Sequence, residues 1–327
     1  MQFTTLFQQI INGLSLGSVY ALIAVGYSLV YSILSFSNFA HGGFLVVGGY
    51  ICYGLLSGLD VYGYFTIPPF NIWLAGLNAL IGAGFIAVLT ERLAYKPIRE
   101  RTSMTLYLLI ASMGVSIVIE NIFVIVVGGR FRALPQDIFQ DVFAVLEKIL
   151  GFFGLQSTRE GSSHLFNLGG NVTVSMFDIL SLIVAVLFLG GLQLFLRRTR
   201  WGLAIRAAAC DLRTAGLMGV NVSLLIGIVF FVAGVLAAIG GIFLSFRYTL
   251  YPQLGGITTK AFVAAVIGGL GSLPGAVVGS LILGLAEMLS TGFISSQMRD
   301  LVVFSLLVIM LLVKPAGFFG KQISDKI

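Results

Sequence analysis

Charged side chains are scarce in this chain. Only 10% of its 327 residues are Asp, Glu, Lys or Arg, and none of these occurs between Met1 and Leu59. Soluble globular proteins carry roughly a quarter charged residues, so the composition excludes a soluble domain. Hydrophobic residues make up 58% of the chain. This composition predicts an all-α, polytopic membrane protein.

Cysteine and histidine are also scarce, with two of each. Their wide spacing excludes a disulfide framework and argues against a metal cluster. The phosphate-binding pattern G-x-x-x-x-G-K-[ST] does not occur, so any ATP that drives the protein must be bound by another polypeptide. We therefore expect no cofactor in this chain. The net charge of +6 falls mainly in loops and the tail, which favours membrane topology over nucleic-acid binding.

Apolar segments long enough to cross a bilayer, about 20 residues each, predict a bundle of about eight membrane segments. They lie near residues 8–34, 36–58, 68–90, 104–127, 175–196, 222–245, 258–291 and 299–313. The first has no positive charge before it and no small-residue cleavage site after it, so we expect a retained span and not a signal peptide. The whole chain, 1–327, is interpreted as one transmembrane domain.

The segment 258–291 is interrupted by Gly268-Gly-Leu-Gly-Ser-Leu-Pro-Gly275. Glycine and proline end helices, so this interruption predicts two half-length helices that form a broken or re-entrant unit. Broken helices persist at membrane depth only beside protein or a cavity, and we expect this one to face the bundle interior.

Basic residues cluster in loop 91–101, in loop 197–221 and in the tail, which contains Lys314, Lys321 and Lys326. The positive-inside rule places all three in the cytoplasm. The segment 128–174 is then extracytoplasmic. Within it, apolar residues recur at helical spacing from Asp137 to Phe153, which predicts an amphipathic helix on the bilayer surface or the bundle top. Residues 155–171 are expected to form a loop or hairpin.

Loop 197–221 contains a short run of small residues, Ala204 to Ala209, flanked by arginines, and it ends near Gly216 and Gly219. Glycines of this kind terminate helices. A short helix with charged flanks suits insertion into a groove on a soluble partner. An ordinary basic loop that only fixes topology remains the alternative.

A polar island, Asn38-Phe-Ala-His-Gly42, separates two apolar runs near the N-terminus. In an apolar environment Asn and His need hydrogen-bonding partners, and glycine allows the backbone to unwind. Substrate contact, a helix bend and interhelical hydrogen bonding all fit, and the residue types favour a bend.

Carboxylates within or beside apolar runs are candidates for proton transfer. Glu120, Glu287 and Asp178 meet this description, although positions near segment ends favour membrane-interface sites. The motif Gly13-Leu-Ser-Leu-Gly17 matches the G-x-S-x-G pattern of a serine nucleophile at Ser15, but it lacks the strand–turn–helix context. We interpret it as a chance match.

Several blocks together resemble the inner-membrane permeases of branched-chain amino-acid ABC importers, with the H-type subunit the most similar. These blocks are Gln9 to Gly26, Asn38 to Gly42, Gly48-Gly-Tyr50, Glu91 to Arg99, Gly202 to Gly219 and Lys260 to Ala276. They occur in the family's order over most of the chain. Residues 130–174 are the exception, because this insertion is longer than the family pattern.

The resemblance implies a type II importer permease that pairs with a homologous second permease as a heterodimer. It also implies two cytoplasmic ABC ATPases that bind ATP and Mg²⁺, an extracytoplasmic solute-binding protein and an amino-acid substrate. By the same resemblance, loop 197–221 holds the coupling helix that sits in an ATPase groove. The residues assigned to that coupling are Arg200, Gly202, Arg206, Ala207, Asp211, Arg213 and Gly219.

The resemblance also places two glycine-interrupted segments beside the substrate path. The residues assigned to the path are Asn38, Phe39, His41, Gly42, Gly268, Gly269, Gly271 and Gly275. We therefore expect a bacterial inner-membrane importer subunit for branched-chain or other neutral amino acids, and not an enzyme. The alternatives are an ABC permease for urea, sugars or nucleosides, a stand-alone proton-coupled carrier, and an intramembrane hydrolase that uses Ser15.

Overall fold

A computed structural model describes residues 2–61, 65–67, 69–102, 104–134, 139–152, 157–160, 163–167 and 173–320. The described part is an all-α bundle. Its α-helices are α1 Gln2–Leu34, α2 His41–Ser57, α3 Ile72–Thr90, α4 Lys96–Arg101, α5 Thr105–Val127, α6 Gln140–Phe152, α7 Met176–Arg198, α8 Arg200–Cys210, α9 Leu212–Leu217, α10 Val222–Tyr248, α11 Thr258–Gly268, α12 Leu273–Phe293 and α13 Arg299–Val313. A π-helical turn, Glu91–Tyr95, joins α3 to α4, and 3₁₀ turns occur at Pro252–Ile257 and Ser296–Met298.

Two small antiparallel sheets accompany the helices. Strands β1 Leu59–Val61 and β2 Phe65–Ile67 form a hairpin, with Leu59 opposite Ile67. Strands β3 Ser157–Glu160, β4 Ser163–Asn167 and β5 Thr173–Ser175 form the second sheet in that order. The hairpin expected within 155–171 is thus present.

Seven helices in the described residues are long and apolar enough to cross a membrane, and α2 is a shorter apolar helix. The expected bundle of about eight segments is confirmed. The second segment differs from the prediction because its helix begins at His41 and not at residue 36. Ser35, with φ of 52°, ends α1, and the chain then runs back along α1 before α2 starts.

Helix α1 occupies the centre of the bundle, and 94% of the residues in its most apolar stretch are buried. It packs along α12, and their backbones approach closely because glycines face each other. A Cβ on Gly13 would lie 2.9 Å from the Cα of Leu285, and a Cβ on Gly284 would lie 2.5 Å from the nitrogen of Gly17. Close approach of this kind increases dispersion contacts in the absence of a hydrophobic driving force within lipid.

The predicted division of 258–291 into two half-length helices is wrong for the second half. Helix α11 has 11 residues, but α12 has 21, enough to cross the bilayer. The glycine turn between them lies at one end of the bundle and not at its middle. Helix α12 can therefore cross the whole bilayer from that end. Gly268 and Gly275 meet backbone to backbone at this turn.

Contacts define two ends of the bundle. At one end, the C-terminal ends of α1 and α7 meet α8, the turn at 269–272 and residues 319–320 around a shared cavity. This end is called the coupling end, after the coupling role predicted for loop 197–221. At the distal end, Gln8 of α1 exchanges two hydrogen bonds with Thr173, and Arg132 pairs with Leu250 after α10.

The tail at 314–320 and loop 197–221 therefore share one end, as the distribution of basic residues predicts. Lys321 and Lys326 lie outside the described residues. The amphipathic helix is present as α6, although Asp137 and Ile138 lie outside the described residues. Phe139, directly before α6, packs on the distal end of α10, where its ring lies 4.4 Å from that of Phe246.

Candidate translocation groove and coupling loop

Two breaks in the helices meet inside the bundle. The first is the return segment before α2, and the second is the 3₁₀ turn before α11. A Cβ on Gly42 would lie 2.7 Å from the carbonyl oxygen of Gly255. The Tyr27 hydroxyl bonds Thr258 Oγ1 at 3.3 Å, and Tyr27 lies seven residues, about 10 Å, before the end of α1. Both α2 and α11 thus begin at membrane depth.

The polar island forms the first of these breaks. Asn38 is buried, and its Oδ1 accepts hydrogen bonds from the Tyr95 hydroxyl at 2.8 Å and from the Ala40 amide at 3.2 Å. His41 is buried against the Tyr27 ring, with the centroids 4.5 Å apart. Within the described residues, Asn38 Nδ2 and both His41 ring nitrogens have no hydrogen-bond partner. The island thus forms a bend that is tied to the π-helical turn.

Phe39 is the member of the island with a partly exposed side chain. Its ring lies 5.6 Å from that of Phe262, which is also partly exposed. Its amide donates to Ser112 Oγ on α5 at 3.1 Å. Asn38, His41 and Gly42 are enclosed behind it.

The four glycines at 268–275 lie elsewhere. Gly268, Gly269 and Gly275 are buried at the coupling end, and Gly271, with φ of 84°, lines the cavity there. The length of α11, about 16 Å for 11 residues, separates them from the break at Gly255. The structure therefore does not bring the two predicted parts of the path together.

The surface formed by α11 and the preceding 3₁₀ turn lies between α5 and α13, and it is called the α5–α13 groove below. Its floor is α11 with the preceding 3₁₀ turn, and its exposed floor residues are Gln253, Gly256, Thr259 and the partly exposed Phe262. Helix α5 packs on the 3₁₀ turn, and α13 packs on α11. The two helices that form the walls, α5 and α13, are mostly exposed. Only 11% of the residues in the most apolar stretch of each are buried.

A charge network closes the α13 side of this groove. Lys260 Nζ lies 2.9 Å from Glu287 Oε1 and 2.7 Å from Asp300 Oδ1. Arg299 Nε lies 3.4 Å from Glu287 Oε1, and the Tyr20 hydroxyl donates to Glu287 Oε2 at 3.0 Å. Sequence position favoured a membrane-interface site for Glu287, and this stays a prediction. The structure shows that the carboxylate is fully buried and paired within the bundle.

The other two carboxylates are less enclosed. Glu120 is partly exposed on α5, where Ser116 donates to it at 3.3 Å. Asp178 lies in the first turn of α7 and pairs with Arg247 at 3.5 Å. It also accepts a hydrogen bond from Ser15 at 2.5 Å. Ser15 lies within a continuous helix, so it lacks the strand–turn–helix setting of a nucleophile.

Loop 197–221 folds as two short helices at the coupling end. Thr199 caps α8 by accepting from the Gly202 amide at 2.9 Å. A Cβ on Gly202 would lie 2.3 Å from the carbonyl oxygen of Leu196, so only glycine allows α8 to fold back on α7. Gly202, Ile205 and Ala208 are the buried positions of α8, and the opposite face is free for contact.

The remaining residues assigned to coupling have two kinds of position. Arg200, Ala207 and Arg213 are exposed. Arg206 is also exposed, and its guanidinium turns back to donate to the carbonyl of Leu196 at the end of α7. With Arg197 it lines a cavity of ≈ 580 Å³ between α1, α7, α8 and the start of α12.

Asp211 and Gly219 shape the second helix. Asp211 caps α9 by accepting from the amides of Arg213 at 2.8 Å and Thr214 at 3.1 Å. The Thr214 hydroxyl bonds the same carboxylate and lowers its pKa. Gly219 adopts φ of 88°, which favours glycine at the end of the helix. Gly216, expected to terminate the helix, lies inside α9 instead.

The sequence interpretation missed an apolar patch on this loop. Leu217 and Met218 are 83% and 81% exposed, and Trp201 and Leu203 are also exposed. Large apolar side chains at the tip of a polar loop typically mark a protein contact. The available signal was the pair Leu217-Met218 between two glycines, at a position where a solvated loop would contain polar residues.

The chain matches one known protein family along most of its length. The family model described as the permease component of branched-chain amino acid transport systems matches residues 9–311. The high-affinity branched-chain amino acid transport system permease protein LivH of Salmonella typhimurium is 37% identical, over 100% of this chain and 99% of that protein. BraD of Pseudomonas aeruginosa, a permease protein with the same description, is 34% identical over 98% of this chain and 97% of its own length. No solved structure matches the chain significantly.

Proposed function

The chain belongs to the family of branched-chain amino acid transport permeases, and we propose that it supplies one half of the passage of a bacterial inner-membrane importer. It is a transport permease subunit of the ABC importer type and not itself an enzyme.

The polar floor of the α5–α13 groove is the observation that carries the proposal. Gln253, Gly256 and Thr259 are exposed there, beside Lys260, at the depth where α11 begins. Polar side chains and open backbone of this kind are unfavourable against lipid, and at membrane depth they face protein or water. A second, homologous permease laid across α5 and α13 would cover the groove and leave a wet passage between the two subunits.

Coupling to ATP is assigned to the opposite end. We assign two ABC ATPases, which bind ATP and Mg²⁺, to the exposed face of α8 and α9. The support is the apolar patch that includes Leu217 and Met218, together with the small, exposed side chain of Ala207. A rigid seat for α8 comes from Gly202 and from the bond between Arg206 and Leu196. Closure of the ATPase pair would therefore move α7 together with α8.

We assign the coupling end to the cytoplasm, with the basic loops there as the support. We assign the distal end, with α6, to contact with a solute-binding protein outside. The relatives are named for branched-chain amino acids, and we assign this substrate class, or other neutral amino acids, to the present chain. The binding protein would deliver the amino acid to the distal opening of the groove, and the ATPases would switch the subunit pair from outward-open to inward-open.

Purification of the affinity-tagged chain from its native membrane tests this assignment. Mass spectrometry is expected to identify a second permease and two ATPase subunits in stoichiometric amounts. The purified complex in liposomes should take up leucine only with ATP and the binding protein. Uptake by the isolated chain, driven by a pH gradient without ATP, would contradict the proposal and support a proton-coupled carrier. Uptake of urea, a sugar or a nucleoside in place of leucine would correct the substrate alone.

A further inference from the structure

Lys260 joins two acidic residues that differ sharply in burial. Glu287 is fully buried behind it, and the side chain of Asp300 in front of it is 68% exposed. The side chain of Lys260 itself is 17% exposed. The same ammonium therefore has one partner in the bundle interior and one at the groove surface.

The inner partner is held on three sides. Glu287 on α12 receives Lys260 from α11, Arg299 from α13 and the Tyr20 hydroxyl from α1. A buried carboxylate with three donors is not free to move, because each lost contact leaves a desolvated charge. Glu287 thus fixes Lys260 at the groove.

The outer partner is reached by water. Asp300 lies in the first turn of α13, exposed at the mouth of the groove. An ion pair with an exposed partner is weakened because water competes for that charge. The pair of Lys260 with Asp300 is therefore easier to open than the pair with the fully buried Glu287.

An open pair of this kind has the charge pattern that an α-amino acid requires. An amino acid carries one carboxylate and one ammonium on the same carbon, and the two ends of the opened pair offer one ammonium and one carboxylate about a salt-bridge apart. We propose that Lys260 binds the carboxylate, and Asp300 the ammonium, of the amino acid that passes through the α5–α13 groove. Phe39 and Phe262, partly exposed in the same groove, then contact the apolar side chain. This inference rests on the proposed function and adds the residues that recognise the substrate.

Thiol labelling tests the site without measuring transport. The assembled complex would contain Thr259→Cys in the groove together with Cys210→Ser, since Cys210 is exposed and Cys52 is buried. A water-soluble methanethiosulfonate should label Thr259→Cys, and saturating leucine should slow labelling several-fold. Isopentylamine lacks the carboxylate and 4-methylpentanoate lacks the ammonium, so neither should protect.

Three results separate the possible failures. Absence of labelling would mean that the groove is not water-filled, and the proposed passage would fall with it. Labelling without protection by leucine would overturn the recognition site and leave the passage intact. Equal protection by leucine, the amine and the acid would mean that apolar contact alone binds the ligand, which also overturns the proposal.

Uptake by the same complex distinguishes recognition from a structural role of the ion pair. Lys260→Met and Asp300→Asn should each lower leucine uptake per assembled complex at least tenfold and abolish protection, whereas Lys260→Arg keeps the charge and should retain both. The matched control is Asp178→Asn, which breaks the ion pair of Asp178 with Arg247. The two side chains are 15% and 22% exposed, respectively, and they lie outside the groove. This control should leave protection unchanged. Loss of protection in Asp178→Asn, or normal uptake in Lys260→Met, would overturn the assignment.

Discussion

The backbones of Gly42 and Gly255 touch where the two helix breaks meet. A Cβ on Gly42 would lie 2.7 Å from the oxygen of Gly255, and a Cβ on Gly255 would lie 2.8 Å from the oxygen of Gly42. The contact is therefore reciprocal, and neither side can give way without moving the start of α2 or of α11. Because Thr258 and Phe262 follow directly on α11, this contact also sets the height of the groove floor.

Gly42→Ala should destabilise the protein by about 1–3 kcal/mol, the usual cost of overpacking a tight interior. Gly190→Ala on α7 is the control, since nothing in the described part of the chain lies within 4 Å of its added Cβ. Alanine is the better helix former by roughly 1 kcal/mol, so the control should be neutral or stabilising. Thermal unfolding in detergent measures both, and equal midpoints for the two variants would contradict the reciprocal contact.

Glu287→Gln should destabilise the fold far more than Asp300→Asn, although both residues pair with Lys260. The first change removes a fully buried carboxylate and leaves Lys260 and Arg299 without their inner partner, at about 3–5 kcal/mol. The second breaks a pair whose carboxylate is 68% exposed, and exposed pairs contribute about 0–1 kcal/mol. Chemical unfolding of the two purified variants gives the comparison, and similar losses would show that Glu287 is not the anchor.

Much of the bundle was predictable because a membrane segment has a simple signal. Apolar length alone located the spans, and basic residues correctly placed loop 197–221 and the tail at one end. The start of α2 was predicted too early, because the few polar residues from Ser35 to Ala40 lie inside a long apolar run. Only Asn38 and the glycine that follows His41 indicated that the backbone unwinds there.

The groove was less predictable, because it depends on contacts between distant segments. Lys260 and Glu287 are 27 residues apart, and they meet only because α11 and α12 pack as a hairpin whose depth the sequence does not state. Glu287 appeared to end an apolar run, but α12 continues past it to Phe293. The glycines at 268–275 were correctly identified as a break, but their depth in the membrane was not predictable.

Tyr95→Phe should weaken the link between the π-helical turn and the polar island. The change removes the hydrogen bond to Asn38 Oδ1 in a buried site, which costs about 1 kcal/mol. Tyr50→Phe is the matched control, because the Tyr50 hydroxyl is buried with no hydrogen-bond partner in the described residues, and its removal should cost nothing. Equal thermal midpoints for Tyr95→Phe and the parent chain would show that the bond contributes nothing to stability.

Ala207→Trp should prevent transport without preventing membrane insertion. Ala207 is exposed on α8, so a large side chain fits the isolated chain but overfills a groove on a docked ATPase. Ala207→Ser keeps the small volume and serves as the control. Yield in the membrane, ATPase retention on a tagged permease and leucine uptake would be measured together. Normal uptake by Ala207→Trp would contradict docking at this face.

Leu217→Asp tests the apolar patch that the sequence did not reveal. The side chain is 83% exposed, so a carboxylate there should leave the fold unchanged within about 0.5 kcal/mol. A contact buried at an interface behaves differently, because the introduced charge loses its hydration on docking. We therefore expect at least tenfold weaker ATPase retention. Leu217→Asn, polar but uncharged, should give an intermediate loss. Full ATPase retention by Leu217→Asp would remove the patch from the interface and leave Ala207 as its only support.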